Sequence, residues 1–134
     1  MEKEFDKWNE EKKKIASNTN PRLFPQEREI WLCVIGKNIG REQNGGDYFS
    51  RPILIIKKFN NEIFWVVPLS TKQKKYDFFY NFTDVNGEPA SAILAQLRLV
   101  SVKRFIRKLY DFQADDFNKI IISMVEFLKN RNPS

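Results

Sequence analysis

Two side chains with complementary chemistry stand at the ends of neighbouring strand-like segments. Arg51 begins the apolar run from Pro52 to Ile56, and Ser70 stands just past the run from Ile63 to Val67. If these segments pair antiparallel across a turn at Phe59 to Glu62, Arg51 and Ser70 come to the same edge of the sheet. A guanidinium and a hydroxyl that converge there suit a phosphate diester, because arginine offers paired donors to phosphate oxygens.

A long polar loop precedes Arg51. It runs from Gly36 to Ser50, is rich in glycine, and contains Glu42 and Gln43. Compact domains rarely keep such a loop without a function. The alternative is a harmless excursion of the chain, which fits less well with the motif inside the loop.

A basic segment with aromatic residues follows Ser70. Lys72, Lys74 and Lys75 stand directly before the run from Tyr76 to Phe82. This composition binds single-stranded nucleic acid through phosphate contacts and base stacking. Strand alternation sends about half of the rings inward and leaves Phe79 as the ring expected at the surface. The alternative is a strand whose aromatic residues all pack into the core.

Composition narrows the possible chemistry. The 134 residues carry a formal net charge of +6, which favours polyanionic partners, although many basic proteins bind none. There is no histidine, so a Ser-His-Asp hydrolase is excluded and a zinc site is nearly so. The single cysteine, Cys33, cannot form an internal disulfide, and its apolar surroundings predict a buried, inert thiol. We therefore expect no metal and no other cofactor.

The chain shows no signal for a membrane. No apolar run approaches the roughly 20 residues that span a bilayer. The N-terminal sequence MEKEFDKW lacks the apolar centre of a signal peptide. These observations predict a cytoplasmic protein.

The chain divides into an N-terminal extension and one main domain. Residues 1–26 are predicted to form a helix, with Phe5, Trp8 and Ile15 along one face, and then a linker that contains Pro21 and Pro25. Residues 27–134 are predicted to form a mainly β domain with a C-terminal helix over Ala114 to Asn130, where apolar residues recur at helical spacing. The predicted strands of this domain cover Glu29–Ile35, Ile53–Ile56, Ile63–Val67, Tyr76–Phe82, Ala90–Gln96, Leu97–Val100 and Arg107–Phe112, with Ser101 capping a short turn.

Four short motifs carry a family resemblance. In chain order they are GREQNG at Gly40 to Gly45, Arg51-Pro52, Pro68-Leu69-Ser70, and AQLRLV at Ala95 to Val100. Their order and spacing resemble those of the MazF/PemK family of toxin endoribonucleases. The resemblance extends from Glu29 to the C-terminal helix and leaves out the N-terminal extension.

The resemblance implies a fold and a function. The fold would be an α+β, mainly β protein, with an SH3-like barrel of the CcdB/MazF kind, a C-terminal helix and an extra N-terminal helix. The function would be that of a type II toxin, a metal-independent, sequence-specific endoribonuclease that cleaves single-stranded RNA through attack by the 2′-hydroxyl. It also implies a homodimer, a cognate acidic antitoxin, and contact with DNA through the antitoxin complex.

Site residues follow in part from the same resemblance. Arg51 and Ser70 would act on the phosphate, and Glu42 is the candidate base. The RNA-binding residues would be Gln43, Gln96 and Arg98 from the motifs and Thr71 beside Ser70, together with Lys72, Lys74, Lys75 and Phe79 from the basic and aromatic composition.

Two positions depart from the family pattern. Ala95 stands where an acid normally precedes the glutamine, and Ile93 stands where some relatives carry an arginine. A mechanism that depends on that pair is therefore not open to this chain. The alternative function is a non-catalytic binding protein on the same fold, either a gyrase poison like CcdB or an RNA-binding module.

Overall fold

The computed structural model describes residues 23–37 and 48–130. The predicted N-terminal helix and the loop residues Glu42 and Gln43 lie outside these ranges. Within them the chain forms strands β1 to β7 and one α-helix, α1. Their bounds are β1 Glu29–Lys37, β2 Tyr48–Lys58, β3 Ile63–Ser70, β4 Phe79–Thr83, β5 Pro89–Ile93, β6 Arg98–Ser101, β7 Phe105–Asp111 and α1 Ala114–Lys129.

The strands form one antiparallel sheet, as the mainly β prediction requires. The order is β4-β5-β3-β2-β1-β7, and β6 also pairs with β3. The outer edge of β3 is shared, because its first half pairs with β6 and its end at Leu69 and Ser70 pairs with β5. The two segments that carry Arg51 and Ser70 are therefore adjacent and antiparallel, which confirms the predicted pairing of β2 and β3.

Two apolar cores lie on opposite faces of the central strands. Alternation along β2 sends Ile53 and Ile55 into one core and Leu54 and Ile56 into the other. The first core is closed by aromatic rings, with Trp31, Phe64 and Phe105 in contact. The second contains Phe82 and Phe112 in edge-to-face contact, 4.9 Å between ring centres, and is covered by α1 through Ile120. Burial on both faces explains why β2 reads as an unbroken aliphatic run.

Several element boundaries differ from the prediction. The polar loop is shorter than expected, because Gly36 and Lys37 belong to β1, and Tyr48 to Ser50 belong to β2. The segment predicted as one strand from Ala90 to Gln96 ends at Ile93 and continues as a 3-10 helix over Leu94–Gln96. The predicted short turn after Ser101 is confirmed as a 3-10 helix, with the Ser101 hydroxyl accepting a hydrogen bond from the Lys103 backbone N–H.

The helix α1 is held to the sheet by polar and apolar contacts. The Tyr80 hydroxyl of β4 donates a hydrogen bond to the Asp116 carboxylate. Burial and that neighbouring carboxylate raise the pKa of the Tyr80 phenol well above its usual value. Phe117, Ile121 and Met124 pack against the second core. Ile122, Val125 and Leu128 remain on the solvent side of α1, with exposures of 62%, 47% and 74%.

The end of the predicted linker belongs to the folded domain. Pro25 is fully buried, and the Arg28 backbone N–H donates to the Ile55 carbonyl at 2.9 Å. The Arg28 guanidinium also donates to the Phe112 carbonyl at 2.7 Å. Arg28 has a positive φ of 76°, which turns the chain into β1. Among the described residues, no helix is long and apolar enough to cross a membrane.

Candidate active site

Arg51 is held in place by the neighbouring strand. Its Nη2 donates to the carbonyl of Leu69 on β3 at 2.9 Å, and the guanidinium carbon lies 5.9 Å from the centre of the Phe49 ring. The side chain is half-buried. One of its five N–H donors is thus used to fix the group, and within residues 23–37 and 48–130 the others are available to a phosphate.

Ser70 is the last residue of β3 and lies close to Arg51. The paired register of β2 and β3 ends at Ile53 opposite Pro68. When the same register is continued by two residues along each strand, Arg51 lies opposite Ser70. The hydrogen bond from Arg51 to the Leu69 carbonyl is consistent with this position. The sheet therefore brings together the guanidinium and the hydroxyl that the sequence placed at one edge.

A row of polar residues continues from Ser70 across the sheet. Ser70 pairs with Ser91 of β5, and Ser91 pairs with Asn81 of β4. Residues directly opposite one another in a sheet point to the same face. Adjacent strands lie about 4.8 Å apart, so Asn81 is about 10 Å from Ser70. Arg51, Ser70, Ser91 and Asn81 thus form one transverse row, which we call the polar row.

The polar row holds the loop that follows Ser70. The Ser91 hydroxyl, fully buried, donates to the Lys72 carbonyl at 2.6 Å, and the Asn81 amide donates to the Lys74 carbonyl at 2.9 Å. The Ser70 hydroxyl accepts from the Lys72 backbone N–H at 3.1 Å. Gln73 adds two further bonds at 3.0 Å, to carbonyls of β4 and β5. The backbone of the loop from residue 71 to 75 is therefore fixed along the row.

The side chains of this loop are directed outward. Thr71, Lys72, Lys74 and Lys75 are all exposed. Within residues 23–37 and 48–130, Lys108 forms ion pairs with Glu29 and Asp111, and none of these three lysines forms an ion pair. The loop therefore presents the positive charge of its lysines to solvent.

The aromatic residue at the surface is Tyr76, not the predicted Phe79. Tyr76 is 59% exposed and lies parallel to Phe78, with ring centres 5.1 Å apart and an interplanar angle of 6°. Phe79 is half-buried and packs on both rings, because β4 begins at Phe79 and the two preceding residues form a turn. Phe127 of α1 supports Phe78 from beneath, with ring centres 6.4 Å apart.

The late motif has a structural task at the end of β1. Arg98 Nη1 donates to the Ile35 carbonyl at 3.1 Å, and Arg104 Nη1 donates to the Val34 carbonyl at 3.2 Å. Both carbonyls lie at a bulge between Val34 and Gly36, where the pairing with β2 shifts. Gln96 is exposed on its 3-10 helix, as is Ala95. Arg98 therefore fixes the strand that leads into the polar loop.

Cys33 is buried next to this bulge. Burial raises the pKa of its thiol from 9.0 to about 11, although Arg104 and Arg98 oppose the shift through their positive charge. A thiol with that pKa stays protonated at neutral pH and is a poor nucleophile. The predicted burial of Cys33 is confirmed.

No group of three or more His, Cys, Asp or Glu side chains that could hold a metal ion occurs in residues 23–37 and 48–130. The candidate base Glu42 and the candidate RNA ligand Gln43 lie in the segment between those ranges.

Sequence reasoning missed the residues that hold the basic loop. Ser91, Asn81 and Gln73 belong to none of the family motifs, and each acts on a carbonyl that is distant in sequence. One signal was present, since a serine between alanines in an otherwise apolar strand must find a partner when buried.

Comparison with family models identifies one family, and two solved structures share the fold. The model of the PemK-like, MazF-like toxin of type II toxin-antitoxin systems matches residues 26–128. Among solved structures, MazF from Deinococcus radiodurans has a TM-score of 0.59 at 14% identity, covering 81% of this chain and all of its own. An Mtb toxin has a TM-score of 0.50 at 13% identity, covering 57% of this chain and 90% of its own. No curated protein matches the sequence significantly.

Proposed function

Since the chain belongs to the family of PemK-like, MazF-like toxins of type II toxin-antitoxin systems, we propose that it is a metal-independent, sequence-specific endoribonuclease. Its substrate would be single-stranded RNA, which it would meet in the cytoplasm. The observation that carries the proposal is the pair formed by Arg51 and Ser70. A half-buried guanidinium, fixed on the Leu69 carbonyl at 2.9 Å, stands level with a hydroxyl at the open end of β3.

Cleavage of RNA by its own 2′-hydroxyl makes limited demands on a protein. The 2′-oxygen loses a proton and attacks phosphorus, negative charge develops on the phosphoryl oxygens, and the 5′-oxygen leaves with a proton. Preorganised donors aimed at the developing charge supply the largest single contribution in many enzymes. Arg51 would fill this role, because its anchored guanidinium needs no reorganisation when the charge appears.

Ser70 and Thr71 would orient the phosphate. The Ser70 hydroxyl accepts from the Lys72 N–H at 3.1 Å, so its own proton is free to be donated to a phosphoryl oxygen. Thr71 is exposed one residue later and can offer a second hydroxyl. Glu42 remains the proposed base for the 2′-hydroxyl, on the strength of the family motif.

Substrate chemistry gives the direct test. The wild-type protein should cleave an unstructured RNA in the presence of EDTA and leave a 2′,3′-cyclic phosphate. A matched oligonucleotide with one 2′-deoxy sugar at the cut should bind and stay intact. Cleavage of the deoxy substrate at the same bond would show attack by water or by a side chain and overturn the mechanism.

A specific observation keeps the non-catalytic alternative in view. Ala95 is exposed at the position where the family carries an acid, so the chain lacks that carboxylate. A binding protein on this fold, either a gyrase poison or an RNA-binding module, does not need it. Under this alternative, expression arrests growth while purified protein leaves RNA uncut. Inhibition of gyrase by the purified protein would indicate the gyrase poison, and its absence would indicate the RNA-binding module.

The proposed partners are an acidic antitoxin and a second copy of this chain. The net charge of +6 and the exposed lysines after Ser70 favour an acidic segment laid near Arg51. The exposed apolar side chains Ile122, Val125 and Leu128 on α1 favour a homodimer. Light scattering at micromolar concentration should give twice the 16.0 kDa chain mass, whereas the monomer mass would contradict this proposal.

A further inference from the structure

The stacked rings of Tyr76 and Phe78 have geometry that the proposed reaction does not use. Tyr76 is the more exposed ring at 59%, and its near-parallel contact with Phe78 makes a two-ring stack with one end in solvent. Its exposed face is open to a planar partner, because aromatic rings attract one another in offset-stacked geometry. The stack is supported from below by Phe79 and by Phe127 of α1, so it does not collapse onto the surface.

The stack lies at the end of the fixed basic loop. The polar row holds the carbonyls of Lys72 and Lys74, and the chain reaches Tyr76 two residues after Lys74. A hydrogen bond from the Phe79 N–H to the Tyr76 carbonyl at 3.0 Å closes the turn. The structure therefore lines up, in one direction, Arg51 and Ser70, then the lysines, then the exposed ring.

We propose that Tyr76 stacks on a base of the bound single strand and thereby sets where the strand lies relative to Arg51. The inference rests on the proposed function and deepens it by naming a positioning residue for the RNA. Lysines along the loop would contact the backbone phosphates, while Tyr76, backed by Phe78, would receive the face of one base.

The proposal places this base outside the reacting nucleotides. Asn81, which anchors the loop at Lys74, is about 10 Å from Ser70 across the sheet, and Tyr76 follows two residues after Lys74. A base on Tyr76 would therefore belong to a nucleotide beyond the two that border the cleaved bond.

Stacking of this kind tolerates sequence but demands length. Every base offers a π-face, so Tyr76 would not select one base strongly. An oligonucleotide too short to reach the ring would lose the contact entirely. The proposal therefore predicts that RNA affinity depends on oligonucleotide length and that this dependence is lost when Tyr76 is removed.

The experiment uses full-length protein and RNA oligonucleotides with 2′-O-methyl sugars, which cannot react through the 2′-hydroxyl. Affinity is measured by fluorescence anisotropy for a series shortened one nucleotide at a time from each end. Tyr76→Ala should bind the long oligonucleotide roughly 5- to 150-fold more weakly, the usual effect of losing one stacked base. Tyr76→Phe keeps the ring and should bind like the wild type.

Two controls separate stacking from general damage. Phe59→Ala removes another exposed ring, 44% accessible, on the β2–β3 turn and should leave affinity unchanged. For the wild type, removal of one particular nucleotide from the oligonucleotide should lower the affinity by the same factor as Tyr76→Ala does. For the Tyr76→Ala variant, removal of that nucleotide should leave the affinity unchanged. A 2-aminopurine at the same nucleotide should be quenched in the wild type and bright in Tyr76→Ala.

The outcomes are distinct from those of the proposed function. If Tyr76→Ala binds RNA as tightly as the wild type, the stacking inference is wrong. If Tyr76→Phe binds as weakly as Tyr76→Ala, the hydroxyl and not the ring makes the contact. If the wild type binds with Tyr76-dependent quenching but never cleaves ordinary RNA, the inference stands and the nuclease proposal fails.

Discussion

Two groups of positive charge in this protein are built in opposite ways. Arg51, Arg98 and Arg104 each donate from the guanidinium to a strand carbonyl, so the charged ends of their side chains are fixed. Lys72 and Lys74 are instead fixed through their own carbonyls, and their ammonium groups lie in solvent. In one region the side chain is anchored, and in the other the backbone.

The difference separates two tasks. A reacting phosphate needs a donor in one position, because the effect of a preorganised group depends on its geometry. A bound strand needs positive charge along its path, and each lysine acts there as a point charge on a flexible stem. The fixed loop backbone places those charges in a line, and the mobile stems allow different strands to fit.

The largest effect is expected when the anchored guanidinium of Arg51 is removed. Arg51→Ala should lower the cleavage rate by roughly 10²- to 10³-fold, the usual effect of removing one preorganised donor. Arg51→Lys should restore activity only in part, because a single ammonium cannot both hold the Leu69 carbonyl and present paired donors.

The matched control is Arg107→Ala, which removes an exposed arginine on β7. It should cleave RNA at the wild-type rate in single-turnover assays. Equal loss of activity in the two variants would mean that Arg51 contributes only general charge.

Removal of the unanchored charges should weaken binding without slowing the chemical step. Replacing Lys72, Lys74 and Lys75 together by alanine should lower the slope of log affinity against log salt concentration by about 2, at about 0.7 per phosphate contact on a single strand. The rate for bound substrate should stay constant, because the loop carbonyls and their partners remain. Titration of 2′-O-methyl RNA at several salt concentrations gives the slope.

Lys57→Ala is the control here, since Lys57 is exposed near the far end of β2. An unchanged slope in the triple variant would show that the strand does not cross this loop.

The anchored guanidinium of Arg104, on the β1 bulge, should contribute to the stability of the fold. Arg104→Met keeps the apolar stem and removes the bond to the Val34 carbonyl, which should lower the free energy of unfolding by about 1–3 kcal/mol. Urea denaturation measures the change. Arg107→Met should stay within about 0.5 kcal/mol of the wild type, as exposed substitutions usually do. A wild-type midpoint for Arg104→Met would mean that water replaces the guanidinium.

The smallest effect is expected at Cys33, beside the two structural arginines. Because its pKa is raised from 9.0 to about 11, the folded state keeps the thiol proton to higher pH than the unfolded state. The stabilising contribution is therefore complete below pH 9.0 and is lost as pH rises towards 11. Cys33→Ala should cleave RNA normally at neutral pH, and its stability should decline less than that of the wild type across this range. A steeper decline in the variant would contradict the assignment.

Much of this fold could be read from the sequence because its signals are local. The unbroken run from Ile53 to Ile56 predicted a strand covered on both faces, and the helical spacing from Phe117 to Leu128 predicted α1. The strand at residues 90–96 was overextended, because Leu94 continues the apolar pattern after the backbone has turned into a 3-10 helix. Apolar character marks burial there, not strand geometry.

The site was predictable only where the residues belong to one hairpin. Arg51 and Ser70 belong to adjacent antiparallel strands, so their meeting followed from one hairpin. The support by Ser91 and Asn81 depends on pairings among β3, β5 and β4, which no local pattern reveals. Tyr76 was taken for a strand residue because aromatic alternation continued through the turn at Asp77 and Phe78.

The turn at Asn60 has a consequence for the site at the opposite end of the hairpin. Its side-chain oxygen accepts from the backbone N–H groups of Glu62 and Ile63, at 2.7 Å and 3.0 Å. Both faces of β2 carry aliphatic residues of similar size, so exchange of the two faces among Ile53 to Ile56 costs little packing. A slip of one residue would also turn Arg51 to the other face of the sheet and carry exposed Pro52 or Lys57 into a buried position. The ends of the aliphatic run and the Asn60 turn therefore together keep Arg51 on the face that it shares with Ser70.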